Sequence, residues 1–404
     1  MKRVLIYSDC NLFGGSEHAV INLLKNEEIK KHVSFSFAFR YYESYKAKID
    51  ELLSGQNDII FYPIRLLTNY SIYDYIKKHT KSKLFYRLFF APFYYCEMFG
   101  VYDFFNRIII RRFLRKHRFD IVHINNGGYP GAQSCLIMAE ESAKLGMKVV
   151  LQVNNIASDQ IRRTTNLAVS KSVDFCITAS QVAKNALLSI LPIKSEQVLT
   201  IPHFVDYVKP KKARIDLLTP LRIATDSLLI VEVALLQQRK GQVELIRAVK
   251  CMMENKKIDV NLILIGNGES KQTVIETINA EGLSGNVHLL GYRDDYIDFI
   301  NAADVVTLPS LKDEDMPLTI ISALSLGKPI VSTKLAGIPE EVEDGVSGIL
   351  IDPKSETFVQ DLSAALYQAY QKREILSSNA RNRYNDIFSK EQFTQSYIKL
   401  YSSL

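Results

Sequence analysis

Cysteine is sparse in this chain of 404 residues and badly placed for a framework. Cys10, Cys96, Cys135, Cys176 and Cys251 are odd in number and show no CxxC or other metal-like spacing. That argues against a disulfide-stapled secreted domain and for a reduced, cytoplasmic protein. Long apolar runs are also missing. Nothing approaches the roughly 18 uncharged residues of a membrane span, and the opening MKRVLIYSDC is too short in its apolar part for a signal peptide, so it reads as a first strand. No stretch is biased enough to be disordered, and no short-period repeat occurs. The seven histidines are scattered, none at ligand spacing from a cysteine or a second histidine, which removes support for a zinc site or a triad.

What is present is an ordinary globular composition at a length that calls for two domains of roughly 200 residues. VLIYS (Val4 to Ser8) is a short apolar run that ends at Gly14-Gly15, after which Ser16 can cap a helix with Ala19, Val20, Leu23 and Leu24 on one face. VSFSFAF, DIIFY, DIVHI, KVVLQV and DFCITA are further strands, and AQSCLIMAEESAKLG is a helix with Gly146 placed to end it. LLIVEVA, VNLILIG, NVHLL, DVVTLP, KPIVST and GILI repeat the pattern in the second half, with helices at QVELIRAVKCMME and KQTVIETINAEG. Alternating strands and helices imply parallel sheets covered on both faces, with ligands beyond the carboxyl ends of the strands. The predicted division is 1–206, a linker over 207–222, and 223–388, with a last helix near 389–404.

Two stretches look built for phosphate. In LPSLKDEDMPLTIISALSLGKP, Pro317 suits a first helical turn, so the helix is expected from about Met316, leaving Asp313, Glu314 and Asp315 on the loop before it. Free N–H groups and the positive dipole end would hold a phosphate there; equally, the acids could simply cap the helix. In LLQQRKGQVELI, Arg239 and Lys240 fall at a turn between strand and helix, and Gly241 lets the backbone come close, which fits a diphosphate or a solvated basic turn.

The order of these segments resembles the retaining glycosyltransferases of family 4. The likeness is dense over Leu228 to Pro353 and continuous but thinner before it, and it is carried by RKGQVELIRA, LILIGNGESK, NVHLLGYRDD, ADVVTLPS, EDMPL, GKPIVSTKLAGIPEEVEDGVSGILIDP and IPHFVD. The resemblance implies an α/β GT-B fold: two Rossmann-like domains facing across a cleft, with the C-terminal helix crossing back to the N-terminal domain. It implies a nucleoside diphosphate-sugar donor held mainly by the second domain, an acceptor mainly on the first, and no metal or other cofactor. Lys240 and the N–H groups of Met316 to Thr319 (with Pro317 and Leu318 between) would stabilise the departing diphosphate, aided by Arg239. Glu314 would hold hydroxyls of the donor sugar. Gly14 and Gly15 would approach the phosphates, Gly266 would lie on the donor side, and the segment around Arg293 would lie near the base.

Three positions depart from the family pattern. Ser322 stands where a second glutamate grips the ribose. A neutral hydrogen bond contributes about 0.5–1.5 kcal/mol against about 1.5–3 for a charged one, so ribose affinity would fall roughly tenfold. Leu235 stands where an arginine is frequent, and Asn154 where a histidine often sits near the donor sugar. Asn154 can hydrogen-bond a hydroxyl but does not titrate near neutral pH. A non-catalytic member that binds a nucleotide sugar as partner of an active transferase is the alternative; an epimerase would need converging acids and histidines that are absent here.

Between Lys77 and Arg118 lie eleven Lys or Arg against two acids, Glu97 and Asp103, interleaved with Phe and Tyr. An in-plane membrane helix would have this pattern, making the chain peripheral on the inner face of the cell membrane and suiting a lipid-linked glycan acceptor. An amphipathic helix over the first sheet would have it too. Single-stranded nucleic acid also favours such interleaving, but no nucleic-acid motif accompanies it and no nucleic-acid partner is expected.

Overall fold

The computed structural model describes residues 1–10, 15–69, 83–159 and 163–404, with the side chains of 83–89 and 91 left out. It divides into two compact units: 1–178, 184–200 and 394–404 in the first, 179–183 and 201–393 in the second. Ile201 rather than residue 207 therefore opens the main body of the second unit. The stretch 207–222, read from sequence as a linker, belongs to that unit and contains the short helix Arg214–Leu218, whose Leu217 and Leu218 join its core. The weak periodicity hid this because so short a helix shows only one apolar turn.

The first unit is built on a seven-stranded sheet of β1 (Lys2–Ser8), β2 (Val33–Arg40), β3 (Ile60–Ile64), β4 (Ile121–Asn126), β5 (Lys148–Val153), β6 (Phe175–Thr178) and β7 (Val198–Thr200), in the order β3-β2-β1-β4-β5-β6-β7. Every pairing is parallel. β7 was not foreseen; three residues are too few for a pattern. The final helix, Lys390–Ser403, contributes Thr394 onward to this unit. Asn26 Nδ2 donates to Thr394 Oγ1 over 2.7 Å, and Lys2 Nζ donates to the carbonyls of Tyr401 and Ser402 at its end.

The second unit holds six parallel strands, β8 (Leu228–Val233), β9 (Val260–Ile265), β10 (Val287–Gly291), β11 (Val305–Leu308), β12 (Ile330–Thr333) and β13 (Gly348–Ile351), ordered β10-β9-β8-β11-β12-β13. Along β8, Leu229 and Val231 enter one core while Leu228 and Ile230 enter the other. A strand apolar on both faces reads as a continuous run and forces helices onto both sides. In each sheet the strand order reverses beside the first strand, between β1 and β4 and between β8 and β11, and ligands of doubly wound sheets sit at that reversal.

Candidate active site

The reversal in the second unit brings the two phosphate-like stretches together. β8 and β11 are hydrogen-bonded neighbours, Val305 opposite Ile230, so the loops at their carboxyl ends emerge side by side. The β8 loop makes a tight turn at Gln238–Lys240. Gly241 follows at φ +76°, and a Cβ there would lie 2.3 Å from the Pro309 carbonyl oxygen of the β11 loop. Only glycine permits that approach. Gly266, at φ +144°, presses in the same way on the Ala234 carbonyl, drawing the end of β9 against the end of β8.

Lys240 and Glu314, the two residues expected to be catalytic, form a buried ion pair between Nζ and Oε1. Arg239 Nη1 reaches the same Glu314 oxygen at 3.0 Å and the Asp313 carbonyl at 2.7 Å, and Ser310 Oγ lies 3.4 Å from it. Arg239 is thus a brace on the acid loop. Asp313 takes φ +56°, which turns its carbonyl toward that guanidinium. Asp315 is not a helix cap: it is buried and bound by Ser180 Oγ, and burial raises its carboxyl to about 6 despite that hydrogen bond.

The helix after the loop runs Leu318–Ser325, two residues later than expected, with Pro317 in extended conformation as its N-cap. A proline can occupy the cap as readily as the first turn because neither place needs its missing N–H. Leu318 and Thr319 therefore supply the leading N–H groups, and Met316 is core. Thr319 Oγ1 donates to the Val233 carbonyl over 2.9 Å, which pins the helix start to the end of β8. Ser322 is buried; its hydroxyl donates to the Leu318 carbonyl at 2.9 Å and lies near the Tyr296 side chain. Arg293 forms a two-bond pair with Asp295 (2.6 and 2.7 Å) and lies over Phe299, while Leu235 is exposed.

Sequence reasoning missed Glu232 and Tyr296. Glu232 lies near the end of β8, wholly buried, and Gln242 Nε2 donates to it over 3.2 Å. Burial pushes its carboxyl up to about 8 against the pull of Lys240 and of that hydrogen bond. An acid inside the apolar run LLIVEVA was the signal available. Tyr296 had none, since its contact with Ser322 is tertiary.

In the first unit, Asn154 joins a buried polar chain. Tyr401 Oη and His123 Nδ1 are 2.7 Å apart, and His123 Nε2 is 3.0 Å from Gln152 Oε1, which also accepts from Tyr397 Oη. The amide oxygen must accept, so Nε2 carries the imidazole proton; burial lowers the ring's pKa to about 4 and keeps it neutral. Gln152 Nε2 donates to Asn154 Oδ1 over 2.7 Å. Asn154 Nδ2 donates to Asn125 Oδ1 (2.7 Å) and the Asn126 carbonyl, and Asn125 continues to Ser8 and Glu17 at the β1–β4 reversal. Gly15 opens the Gly15–Leu24 helix beside Glu17. Gly14 lies outside the described residues.

Comparison with known proteins agrees with this geometry. Residues 216–383 match the family described as glycosyl transferases group 1, and 78–209 match glycosyltransferase family 4. An uncharacterized glycosyltransferase of Methanocaldococcus jannaschii is 35% identical over 156 residues, covering 35% of this chain and 38% of that protein. The UDP-Gal:alpha-D-GlcNAc-diphosphoundecaprenol alpha-1,3-galactosyltransferase of Escherichia coli is 26% identical over 313 residues, 74% of this chain and 79% of that one. The crystal structure of Anabaena HepE in complex with UDP superposes over 100% of both chains with a TM-score of 0.76 at 19% identity. Matched in both halves and in order, the chain is a glycosyltransferase that resembles the group 1 and family 4 enzymes and has the α/β GT-B fold.

Proposed function

We propose that this glycosyltransferase moves a sugar, with retention of configuration, from a nucleoside diphosphate donor to a lipid-linked glycan or polysaccharide acceptor in cell-surface glycan synthesis. The observation that carries the donor half is the Lys240–Glu314 pair, set at the β8–β11 reversal beside the start of the Leu318–Ser325 helix. A diphosphate entering there meets a lysine, a guanidinium and two leading N–H groups, all donors of positive potential. Its charge would draw Lys240 from Glu314, and Glu314 would be released to accept hydroxyls of the sugar.

In the proposed step, the bond from the anomeric carbon to the phosphate oxygen breaks while the acceptor oxygen bonds to that carbon on the same face. The acceptor's proton passes to the departing diphosphate oxygen, so no titrating protein base is needed. Lys240 and the helix start stabilise the developing charge without a metal. Asn154, fixed by its polar chain, would contribute from the acceptor side. Uridine is the favoured base because similar structures hold UDP and UDP-glucose, and the lipid-linked acceptor named for the Escherichia coli relative favours that class. A peripheral location on the inner face of the cell membrane suits such an acceptor; among the described residues no helix is long and apolar enough to cross a membrane.

The test is a panel of UDP-, GDP- and ADP-sugars read by thermal shift and diphosphate release. Stabilisation with release by one UDP-sugar is expected. Stabilisation without release, with every acceptor class supplied, would instead favour the non-catalytic partner role.

A further inference from the structure

The basic aromatic segment resolves into two helices, Lys83–Met98 and Val101–His117, joined at Gly100 with φ +71°. The second is partly a covering helix. Tyr102, Asn106, Ile110 and Leu114 are its buried residues: the helix packs on Gln133–Lys144, Ile110 and Leu114 join the core of the first sheet, and Asn106 bonds the backbone of Leu67. Arg107 pairs with Glu140 and Glu141, and Arg111 with Glu141. Two of the five Lys and Arg residues on this helix are therefore paired inside the unit.

The opposite face is different. At 100° per residue, Val101, Phe104, Phe105, Arg112, Arg115 and Lys116 share one sector of about 120°. All six are exposed. The sector is apolar at its start and cationic at its end, about 16 Å apart from Phe104 to Arg115 at 1.5 Å per residue. Around Gly100 the apolar end is extended by Tyr94, Tyr95, Met98 and Phe99, with Phe99 75% and Phe104 62% exposed. Of the two acids, Asp103 lies on the side of Arg107, away from this sector, and Glu97, although exposed, is bound to Asn69.

We infer that this helical turn docks obliquely on an anionic lipid surface, the aromatic end entering the headgroup–acyl boundary and Arg112, Arg115 and Lys116 meeting lipid phosphates. Aromatic rings favour that boundary, and cations a helix-turn or two behind them reach the negative surface. A second copy of the chain fits less well, because the sector offers three cations and no acid to pair them across a two-fold axis. This goes beyond an in-plane helix, and it rests on the proposed lipid-linked acceptor for its purpose only, not for the binding itself.

Sedimentation with phosphatidylglycerol–phosphatidylcholine vesicles tests it, with phosphatidylcholine vesicles as comparison. The protein should pellet with the anionic vesicles. Phe99→Ser and Phe104→Ser should each weaken partitioning about tenfold. Arg112→Gln and Arg115→Gln should each weaken it about fivefold, an effect lost at high salt. These exposed substitutions should leave the melting temperature and UDP binding unchanged, while Lys240→Ala should keep vesicle binding and lose transfer, so the two proposals fail separately. A wild-type protein that stays in the supernatant, or tip variants that pellet as well as wild type, would overturn the inference. So would tip variants that turn a dimer into a monomer, which would mean that a second copy covers the face.

Discussion

Lys240 Nζ and Glu314 Oε1 are joined in a buried ion pair, although 74 residues separate them in sequence. The pair exists because β8 and β11 are neighbours and Gly241 lets the two loops touch. The two charges satisfy one another, which keeps a cation in a dry place at modest cost; with the proposed donor bound, each would acquire a partner of its own.

Removing either member should therefore separate catalysis from stability. Lys240→Ala is expected to lower the rate of transfer by about 10²–10³-fold, the usual loss of one transition-state donor. Glu314 keeps Arg239 in that variant, so the melting temperature should change little. Glu314→Ala strands a buried lysine and should cost about 3–5 kcal/mol in urea denaturation. Equal destabilisation in both, or undiminished turnover, would refute the assignment.

Ser322 and Tyr296 make a second test. Ser322 is buried, with Tyr296 near it, so a glutamate at 322 would be crowded. Ser322→Glu alone should lower the melting temperature through overpacking of about 1–3 kcal/mol. Combined with Tyr296→Ala it should tighten UDP binding about tenfold by calorimetry, because the carboxylate can then reach the ribose. No gain in the double variant would argue against ribose at this end of the helix.

Glu232 predicts a pH dependence. Its folded pKa, about 8, lies above its unfolded value near 4.5. Between those limits the unfolded chain binds fewer protons than the folded one, so this group's contribution is full below about 4.5, falls as pH rises, and levels off above about 8. Glu232→Gln should flatten that decline in denaturation at pH 5 and 8. It should also extend transfer above pH 8, where ionised Glu232 would compete with phosphate for Lys240. Superimposable wild-type and variant profiles would remove Glu232 from the site.

Gln152→Leu should cut the polar chain at its middle, leaving His123 and Asn154 each short of a buried partner. A cost of about 1–3 kcal/mol per stranded group is expected. Gln152→Glu keeps an acceptor for the imidazole, so it should recover His123 but not Asn154, whose Oδ1 would lose its donor. Nuclear magnetic resonance of the His123 ring would show an altered tautomer in the leucine variant only.

Much of the fold was legible because parallel strands buried on both faces are written as short apolar runs; twelve of the thirteen strands described overlap segments read as strands from the sequence. β7 escaped through brevity, and 207–222 passed for a linker because its one helical turn is too short for a period. Lys240 and Glu314 were readable as separate phosphate-like loops. Arg239 was readable as a phosphate ligand too, but not its bonds to Glu314 and the Asp313 carbonyl, which are tertiary.

Local chemistry is what the chain itself determined: which segments pair as strands, where glycine and proline turn the backbone, and which residue types suit a diphosphate. Tertiary structure alone decided who meets whom. Lys240 with Glu314, Glu232 behind Lys240, Tyr296 on Ser322 and Tyr401 on His123 are contacts across the order in which strands are stacked, and that order is set by burial on both sheet faces rather than by any residue's neighbours in sequence. Burial then fixes the charges as well, holding Glu232 protonated and His123 neutral, which no reading of a linear chain could supply.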